Sequence, residues 1–187
     1  MLPETDPRYP DFNCYSPAFN STLWTLLLLA ELKTPPNERL LRAPLTAVTR
    51  KFLDKEHGIF SIGKSHFPIP CLNGNMLYLH AWFGTGEDSM VQGVVEFFHR
   101  YQRFDDGDFM TPSAFPYCRN KSCYGQHSCY WGVVKLMKGL SFLPPAQRSP
   151  EARALLRGCR RHGGGCQKQP AKNHAQPRET GSVPDCS

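Results

Sequence analysis

The chain has 187 residues, of which 40% are hydrophobic and 12% are aromatic, and its formal net charge is +6. This length and apolar content suffice for one compact domain and exclude a chain that is disordered throughout. The charge is uneven, because the stretch from Arg157 onward has six Lys or Arg residues against Glu179 and Asp185. A nearly neutral body without a stripe of basic and aromatic residues argues against nucleic acid as a partner.

The apolar runs and the cysteines indicate where in the cell the protein is expected. Residues 1–10 are acidic and rich in proline, and they lack the basic start of a secretory signal. The most apolar run, Leu23–Leu32, is much shorter than the roughly 20 residues that a membrane-spanning helix needs. Eight cysteines without a secretion signal favour free thiols or a bound metal over a disulfide framework. We therefore expect a cytoplasmic protein with no membrane span.

Hydrophobic spacing and helix-ending residues predict a chain of helices and no strand. Residues 1–19 are expected to be extended, and Asn20 or Ser21 begins a first helix that is apolar on nearly every side. The following helices are predicted over 38–54, 73–83, 89–102 and 128–142, with a sixth that begins at Ser149 and loses its apolar period after Leu156. The predicted fold class is all-α.

Domain boundaries follow from this pattern. We predict an extended segment over 1–19, helical hairpins over 20–157 and a disordered basic tail over 158–187. The tail is rich in Gly, Pro, Gln, Lys and Arg and has no apolar period. Such an abrupt change of composition is typical of a truncated or frame-altered end, so we expect the body to be a fragment.

The helices recur as hairpins. Ser21, Cys71 and Cys129 each begin an apolar helix, at steps of 50 and 58 residues. A second marker, Gly58-Ile-Phe60, returns 49 residues later as Gly107-Asp-Phe109. Repeats of this length are typical of units that bury their apolar faces only against their neighbours. The hairpins are therefore expected to stack side by side.

Three motifs follow one another in the body: Cys71-Leu-Asn-Gly-Asn-Met-Leu, Tyr101-Gln-Arg-Phe-Asp-Asp-Gly and His127-Ser-Cys-Tyr-Trp-Gly-Val-Val-Lys. Two helices followed by the aspartate-rich motif resemble the α/α-toroid superfamily of squalene and terpene cyclases and protein prenyltransferase β-subunits. The combined motifs resemble a prokaryotic cyclase/prenyltransferase-like group within it, over about residues 12–157. Such a toroid is a closed double ring of helices. This chain supplies too few helices to close one, so the resemblance implies a partial α/α toroid with an open edge.

Two neighbouring carboxylates, Asp105 and Asp106, are the candidate catalytic residues that the resemblance implies. Some terpene cyclases protonate an alkene with an aspartic acid, which must be kept protonated by burial beside a like charge. The alternative is structural, since these aspartates fall where the superfamily has its repeat turn, between Gln102 and Phe109. In that role they would bond nearby backbone amides and tie two hairpins together.

Cysteines near the starts of two predicted helices are the candidate metal ligands. Cys123, His127 and Cys129 lie at the start of the fifth helix, and Cys71 lies at the equivalent start of the third. If the two hairpins are neighbours, three thiols and one imidazole would give zinc four ligands of the kinds that it prefers. Cys118 is a substitute for one of them. The alternative is a set of separate, reduced and partly buried thiols.

The resemblance implies action on an isoprenoid or another apolar small molecule, with zinc as the expected cofactor and with the chain incomplete as an enzyme. The alternative is a non-catalytic helical-repeat scaffold that presents a concave face to a protein partner. Several other residues have an ordinary interpretation as surface or turn residues: His57, His66, His80 and His99. A further group is interpreted as core, with a cation-stabilising cavity as the alternative: Trp24, Tyr78, Trp82, Phe83 and Trp131.

Overall fold

The computed structural model describes residues 14–15, 21–37, 39–62, 67–104, 110–119, 121–125 and 127–163. Within these residues it contains seven α-helices and three short strands, so the fold is mostly helical, as expected. The helices are α1 (Thr22–Glu31), α2 (Arg42–Phe52), α3 (Pro70–Phe83), α4 (Asp88–Tyr101), α5 (Lys121–Tyr124), α6 (Tyr130–Phe142) and α7 (Pro150–Gly163). The strands are β1 (Leu53–Asp54), β2 (Ile59–Ile62) and β3 (Phe67–Pro68).

The predicted first helix is present as α1, with Ser21 in the N-cap position. Its inward face consists of four buried residues: Leu23, Leu26, Leu27 and Ala30. Leu28 is 58% exposed and Leu32 is 68% exposed, so the described residues leave one side of this apolar helix uncovered. The described part of the chain therefore has an apolar edge along α1.

Helices α3 and α6 pack against each other more extensively than any other pair of described elements, and glycines permit their close approach. A Cβ added at Gly74 would lie 2.2 Å from the Lys135 carbonyl carbon, and one added at Gly139 would lie 2.4 Å from the Gly74 carbonyl oxygen. Near the start of both helices, Gly132 faces Pro70 with a similar lack of space. Because the contacting positions rise together in sequence, α3 and α6 run parallel. Their N-terminal ends consequently lie side by side.

Helix α1 runs in the same direction alongside α3. At the C-terminal ends of these two helices, the Trp82 indole N–H donates to the Thr34 carbonyl at 3.0 Å. At the other end, Tyr15, which precedes α1, is hydrogen-bonded to Cys71 at the start of α3. Helices α1, α3 and α6 therefore form one layer of parallel helices with their N-terminal ends on the same side.

Each helix of this layer packs against the helix that follows it: α1 against α2, α3 against α4, and α6 against α7. Helix α4 also packs against α7, and both α2 and α4 contact the strand β2. Gly58, at a φ of +66°, brings the turn before β2 so close to α4 that a Cβ on Gly93 would meet the Gly58 carbonyl at 2.6 Å. The core between these elements contains fully buried aromatic side chains, among them Phe60, Tyr78 and Phe98.

The sequence predicted no strand, and this prediction is wrong for the connection between α2 and α3. There the three strands form an antiparallel sheet in sequence order, with Leu53 opposite Phe60 and Ser61 opposite Pro68. The Asn73 side chain reaches this sheet from α3. Its Oδ1 accepts the Phe60 N–H at 2.9 Å, and its Nδ2 donates to the Phe60 carbonyl at 2.7 Å. A side-chain amide thus satisfies buried backbone groups of β2 and ties the sheet to α3.

Helix α7 continues to Gly163, beyond the end that the sequence predicted near residue 157. Four positions at helical spacing are buried along it: Ala152, Leu155, Leu156 and Cys159. The apolar stripe extends to a further turn because a free cysteine behaves as a small apolar residue. Residues 164–187 of the predicted tail lie outside the described residues, and so does the predicted extended segment apart from Cys14 and Tyr15.

Candidate functional site

Three cysteine side chains come together where the N-terminal ends of α3 and α6 meet. Cys71 is the second residue of α3, Cys129 is the N-cap residue of α6, and Cys123 belongs to the one-turn helix α5. Cys123 is hydrogen-bonded to Cys129, and Cys71 lies within electrostatic range of both. All three are free cysteines. We call these three residues the thiol cluster.

The close packing of α3 on α6 positions the thiol cluster. Because Gly132 packs against Pro70, the first turns of the two helices touch beside Cys129 and Cys71. The chain between α5 and α6 is held by a second contact, in which the Arg103 guanidinium donates to the Gly125 carbonyl at 2.8 Å. Residues far apart in sequence are therefore brought to one place by the close contact of Gly132 with Pro70 and by the hydrogen bond from Arg103 to Gly125.

Hydrogen bonds favour the thiolate form of Cys129. The Cys123 thiol donates to the Cys129 sulfur, and the backbone N–H groups of Trp131 and Gly132 donate to it as well. These bonds, that from Cys123 above all, lower the pKa of Cys129, whereas burial acts in the opposite direction. The same contact with Cys129, together with burial, raises the pKa of Cys123. These opposite shifts favour a proton on Cys123 rather than on Cys129, and the position of Cys129 at a helix N-terminus also favours an anion there.

Cys71 is partly buried and differs from Cys129 in its charge state. Burial raises the pKa of Cys71, and the neighbouring Cys129 raises it further, so the group favours its neutral thiol. The Tyr15 hydroxyl donates to the Cys71 sulfur, and burial together with Cys71 raises the pKa of Tyr15 to about 12. A bound cation would reverse this balance at Cys71, because a coordinating thiol loses its proton.

Tyr124 places a buried hydroxyl beside the thiol cluster. Its side chain is 3% exposed, and its hydroxyl oxygen has no hydrogen-bond partner in the described part of the chain. Burial raises the pKa of Tyr124 well above its ordinary value, and all three sulfurs of the cluster add to this effect. Leaving a buried hydroxyl unpaired costs about 1–3 kcal/mol. The hydroxyl is therefore available to donate to a charged sulfur or to a ligand held among the sulfurs.

The other residues predicted for this site are His127, Cys118, Asp105 and Asp106. The His127 side chain is exposed. Cys118 is disulfide-bonded and has no thiol to offer as a substitute ligand. Asp105 and Asp106, the predicted catalytic pair, lie outside the described residues.

The thiol cluster is less compact than a metal-bound set. In a tetrahedral zinc site the Zn–S distance is about 2.3 Å, so ligand sulfurs lie about 3.8 Å apart. Among the described residues, the side chains whose three ligand atoms all lie within 4.8 Å of one another are Asp54, Glu56 and His57, and not the cysteines. A zinc ion at the thiol cluster would therefore require the sulfurs to draw closer together.

The group of Asp54, Glu56 and His57 could hold a metal ion, and the sequence interpretation missed it by treating His57 as an ordinary turn residue. The Asp54 carboxylate accepts the backbone N–H groups of Glu56 and His57 at 3.0 and 3.3 Å, and its other oxygen lies 2.9 Å from His57 Nδ1. The His57 ring also stacks on Phe115. These contacts close the turn between β1 and β2 without an ion. The Asp-x-Glu-His spacing is the signal that could have identified the group.

His80 was interpreted as a surface or turn residue, and this is wrong because its side chain is buried. The Thr49 hydroxyl donates to the Leu45 carbonyl, so it accepts the Nε2–H of His80 at 3.0 Å. The Thr85 hydroxyl then donates to His80 Nδ1 at 2.9 Å. Burial lowers the pKa of His80 to about 4. His80 is therefore a neutral link between α2, α3 and the loop after α3.

Aromatic side chains meet lysines at the C-terminal ends of the parallel helices. The Lys138 ammonium lies 4.0 Å from the centroid of the Tyr78 ring, and the Lys33 ammonium lies 4.8 Å from that of Trp82. Tyr78 contacts Phe142 edge to face, with centroids 4.8 Å apart. These contacts stabilise the helix ends by cation–π attraction. The interpretation as core is wrong for Trp131, which is 71% exposed beside the thiol cluster.

Comparisons of the chain with protein-family models, with curated proteins and with solved structures found no match. No helix in the described ranges has the length and apolar character needed to cross a membrane. The thiol cluster and the parallel helices that carry it are therefore the basis for assigning a function.

Proposed function

We propose that the chain is a zinc-binding protein of stacked helical hairpins, similar to the α/α toroid of terpene cyclases and protein prenyltransferase β-subunits. The observation that supports zinc binding most directly is the meeting of Cys71, Cys123 and Cys129 where α3 and α6 begin. Each cysteine belongs to a different segment of the chain, so an ion held by all three would link two hairpins. Metal binding of this kind contributes its free energy to folding.

The chemistry of the donors fits zinc. Three cysteine sulfurs form a common part of structural zinc sites, and Cys129 already favours the thiolate that the metal needs. The hydroxyls of Tyr15 and Tyr124 are placed to donate to ligating sulfurs, as the outer partners of metal ligands do. His127, two residues before Cys129, is the proposed fourth ligand and would have to turn inward from its exposed position. Four protein ligands leave no open position, so this zinc would be structural.

The order of the helices supports the proposed toroid. Helices α1, α3 and α6 run parallel and begin at equivalent repeat positions, and each packs against the helix that follows it in sequence. Successive hairpins that lie side by side are the arrangement from which a double ring of helices is built. The chain would then form an arc of such a ring.

The substrate class proposed with the toroid is an isoprenoid or another apolar small molecule, with Asp105 or Asp106 as the acid in an active relative of this chain. Ligand pockets generally measure about 300–1,000 Å³. The depression lined by Leu41, Leu45 and Phe83 is open to solvent and encloses no such cavity. We propose, as the resemblance implies, that this chain is incomplete as an enzyme.

A second candidate function is that of a scaffold for a protein partner. It is favoured by the apolar edge of α1, where Leu28 and Leu32 are exposed one helical turn apart. Exposed apolar residues at helical spacing are typical of a helix that packs against a partner. A structural zinc ion is compatible with this function, because it would stabilise the stack without taking part in a reaction.

Elemental analysis of protein purified without added metal tests the zinc proposal. We expect about one zinc ion per chain in the unaltered protein and a large loss in Cys71→Ser, Cys123→Ser and Cys129→Ser. Cys159→Ala is the matched control, because it removes a buried thiol from α7 and should keep the zinc. Absence of zinc from the unaltered protein, or equal zinc in all four variants, would refute the proposal.

A further inference from the structure

Aromatic rings meet a lysine ammonium at the C-terminal ends of α3 and α6, opposite the thiol cluster. The ring centroids of Tyr78, Trp82 and Phe142 lie 4.8 to 6.4 Å apart, and the ring planes are inclined at 48° to 78°. The Lys33 ammonium lies 4.8 Å from the centroid of Trp82 and 5.9 Å from that of Phe142, so one cation contacts two rings. Both distances are within the limit of about 6 Å for attraction between a cation and an aromatic face. We call Tyr78, Trp82 and Phe142 the aromatic cage.

The aromatic cage is accessible from the side on which Lys33 lies. Lys33 is exposed, and Phe142 is 40% exposed. Trp82 is half-buried, and Tyr78 is buried. The Trp82 indole is held in place because its N–H donates to the Thr34 carbonyl at 3.0 Å. A ligand from solvent can therefore reach Trp82 and Phe142 once the Lys33 side chain has moved away.

The backbone of Lys33 has a conformation that favours glycine. Its φ is +61°, and among the described residues no other non-glycine residue has a positive φ. The turn after α1 is closed by hydrogen bonds from the Lys33 N–H to the Ala30 carbonyl and from the Thr34 N–H to the Leu29 carbonyl. Lysine costs conformational free energy at such a position that glycine does not. What lysine adds there is an ammonium group over the rings of the cage.

We propose that the aromatic cage binds the trimethylammonium group of choline, free or in a lipid headgroup, and that this ligand displaces the Lys33 ammonium. A primary ammonium is strongly hydrated through its N–H groups, and a ring face does not replace those hydrogen bonds. A trimethylammonium group has no N–H group, so it loses less hydration when it enters the cage. Aromatic rings are the usual receptors for such cations. Displacement requires only rotation of the Lys33 side chain, and the backbone of the turn can stay in place.

A second lysine occupies the Tyr78 side of the aromatic cage. The Lys138 ammonium lies 4.0 Å from the centroid of the Tyr78 ring, and it is paired with the Glu31 carboxylate. This ion pair keeps Lys138 over Tyr78, so the rings that the departure of Lys33 leaves for a ligand are Trp82 and Phe142. Glu31 also brings a negative charge to this end of α1, which favours a cation there over an anion.

Tryptophan fluorescence during titration of the full chain with choline chloride, against sodium chloride at equal ionic strength, tests the proposal. Lys33→Gly suits the positive φ and removes the internal ammonium, so it should bind choline about tenfold more tightly than the unaltered chain. Phe142→Leu keeps the Trp82 reporter and should weaken binding about fivefold. Trp131→Leu is the matched control, because it removes an exposed tryptophan at the other end of α6 and should keep the affinity.

The nature of the ligand is tested on Lys33→Gly. Dimethylbutanol, in which carbon replaces the choline nitrogen, has the same shape without the charge and should bind about tenfold more weakly than choline. Sedimentation with phosphatidylcholine vesicles distinguishes the two sources of the group. Co-sedimentation that is lost when Phe142→Leu is added assigns the lipid headgroup, and choline binding without co-sedimentation assigns free choline.

Three outcomes would overturn the cation site. They are the absence of a saturable response to choline in Lys33→Gly, equal affinity of that variant for choline and dimethylbutanol, and a response that is lost in Trp131→Leu and kept in Phe142→Leu. The comparison of the two ligands still decides the matter if Phe142→Leu does not fold, because it uses Lys33→Gly alone. The aromatic cage goes beyond the proposed zinc binding and shares no residue with the thiol cluster, so either proposal can fail without the other.

Discussion

Replacement of Gly74 by alanine should push α3 and α6 apart and destabilise the protein strongly. The added Cβ would lie 2.2 Å from the Lys135 carbonyl carbon and 2.4 Å from the Leu136 nitrogen, whereas ordinary contact begins at 3.4 Å. The helices would have to separate by about 1.2 Å. No side-chain rotation relieves this clash, because the atoms on both helices belong to the backbone.

The expected loss in the free energy of unfolding of Gly74→Ala is the balance of two opposing effects. Alanine in a helix interior is more favourable than glycine by about 1 kcal/mol, which acts against the loss. Overpacking of a core generally costs about 1–3 kcal/mol and occasionally more, and the backbone contact places Gly74 at the upper end. Separation would also loosen the rest of the α3–α6 interface, which is dense and compresses little. We expect a net loss of at least about 2 kcal/mol in the free energy of unfolding.

Urea unfolding followed by circular dichroism measures this loss. Gly86→Ala is the matched control, because its Cβ would meet side-chain atoms at 3.3 and 3.4 Å and a backbone atom only at 4.0 Å. This variant should change the free energy of unfolding by less than about 0.5 kcal/mol. If Gly74→Ala does not fold and Gly86→Ala does, this difference also supports the backbone contact of α3 with α6. A loss below about 0.5 kcal/mol in Gly74→Ala would refute the backbone contact of α3 with α6.

Two further predictions concern buried polar links. Burial lowers the pKa of His80 to about 4, below its unfolded value of about 6.5, so stability present above pH 6.5 should be lost progressively towards pH 4, by up to about 3 kcal/mol. Urea midpoints measured across this range should fall less in His80→Gln than in the exposed control His99→Gln, and equal falls would contradict the buried link. Asn73→Ala should leave the Phe60 backbone groups unpaired and lower the free energy of unfolding by about 2–4 kcal/mol. The exposed control Asn37→Ala should leave the free energy of unfolding nearly unchanged. Equal urea midpoints for the two variants would contradict the role of Asn73.

Helices were predictable from sequence because their apolar periodicity and their ends are local properties. The prediction for α4 agrees with the structure to within one residue at each end, and Pro144 marks the end of α6. The strands were not predictable in the same way. The strand β2 has only four residues, and one of its hydrogen-bonding partners is the Asn73 side chain from the following helix. Nothing in the local pattern of β2 identifies such a partner.

The end of α7 shows a different source of error. The run Gly-Cys-Arg-Arg-His was interpreted as the loss of apolar period, yet Cys159 is fully buried and Gly158 fits against the Phe104 ring. Cysteine continues the apolar stripe, and glycine provides the space for an aromatic ring from another segment. The apolar stripe of α7 was therefore present in the sequence. The Phe104 ring that packs against it could not be identified from the local sequence of the helix.

For the candidate site, the sequence placed Cys71 and Cys129 at helix starts, and the repeat step implied that these starts are neighbours. What the sequence could not supply is the close approach of α3 to α6, which depends on glycine contacts between two distant segments. Tyr124 was missed because a tyrosine has no distinctive spacing signal, and its importance lies in an unpaired buried hydroxyl. His80 was missed because its partner Thr49 lies 31 residues away.

X-ray absorption spectroscopy at the zinc edge tests the central claim most directly, because it reports the ligand atoms themselves. The thiol cluster predicts a zinc ion in the purified protein with three sulfur neighbours at about 2.3 Å, and a lower sulfur count for any zinc that Cys71→Ser retains. A shell of nitrogen and oxygen alone, as the group of Asp54, Glu56 and His57 would provide, or the absence of zinc, would contradict the account.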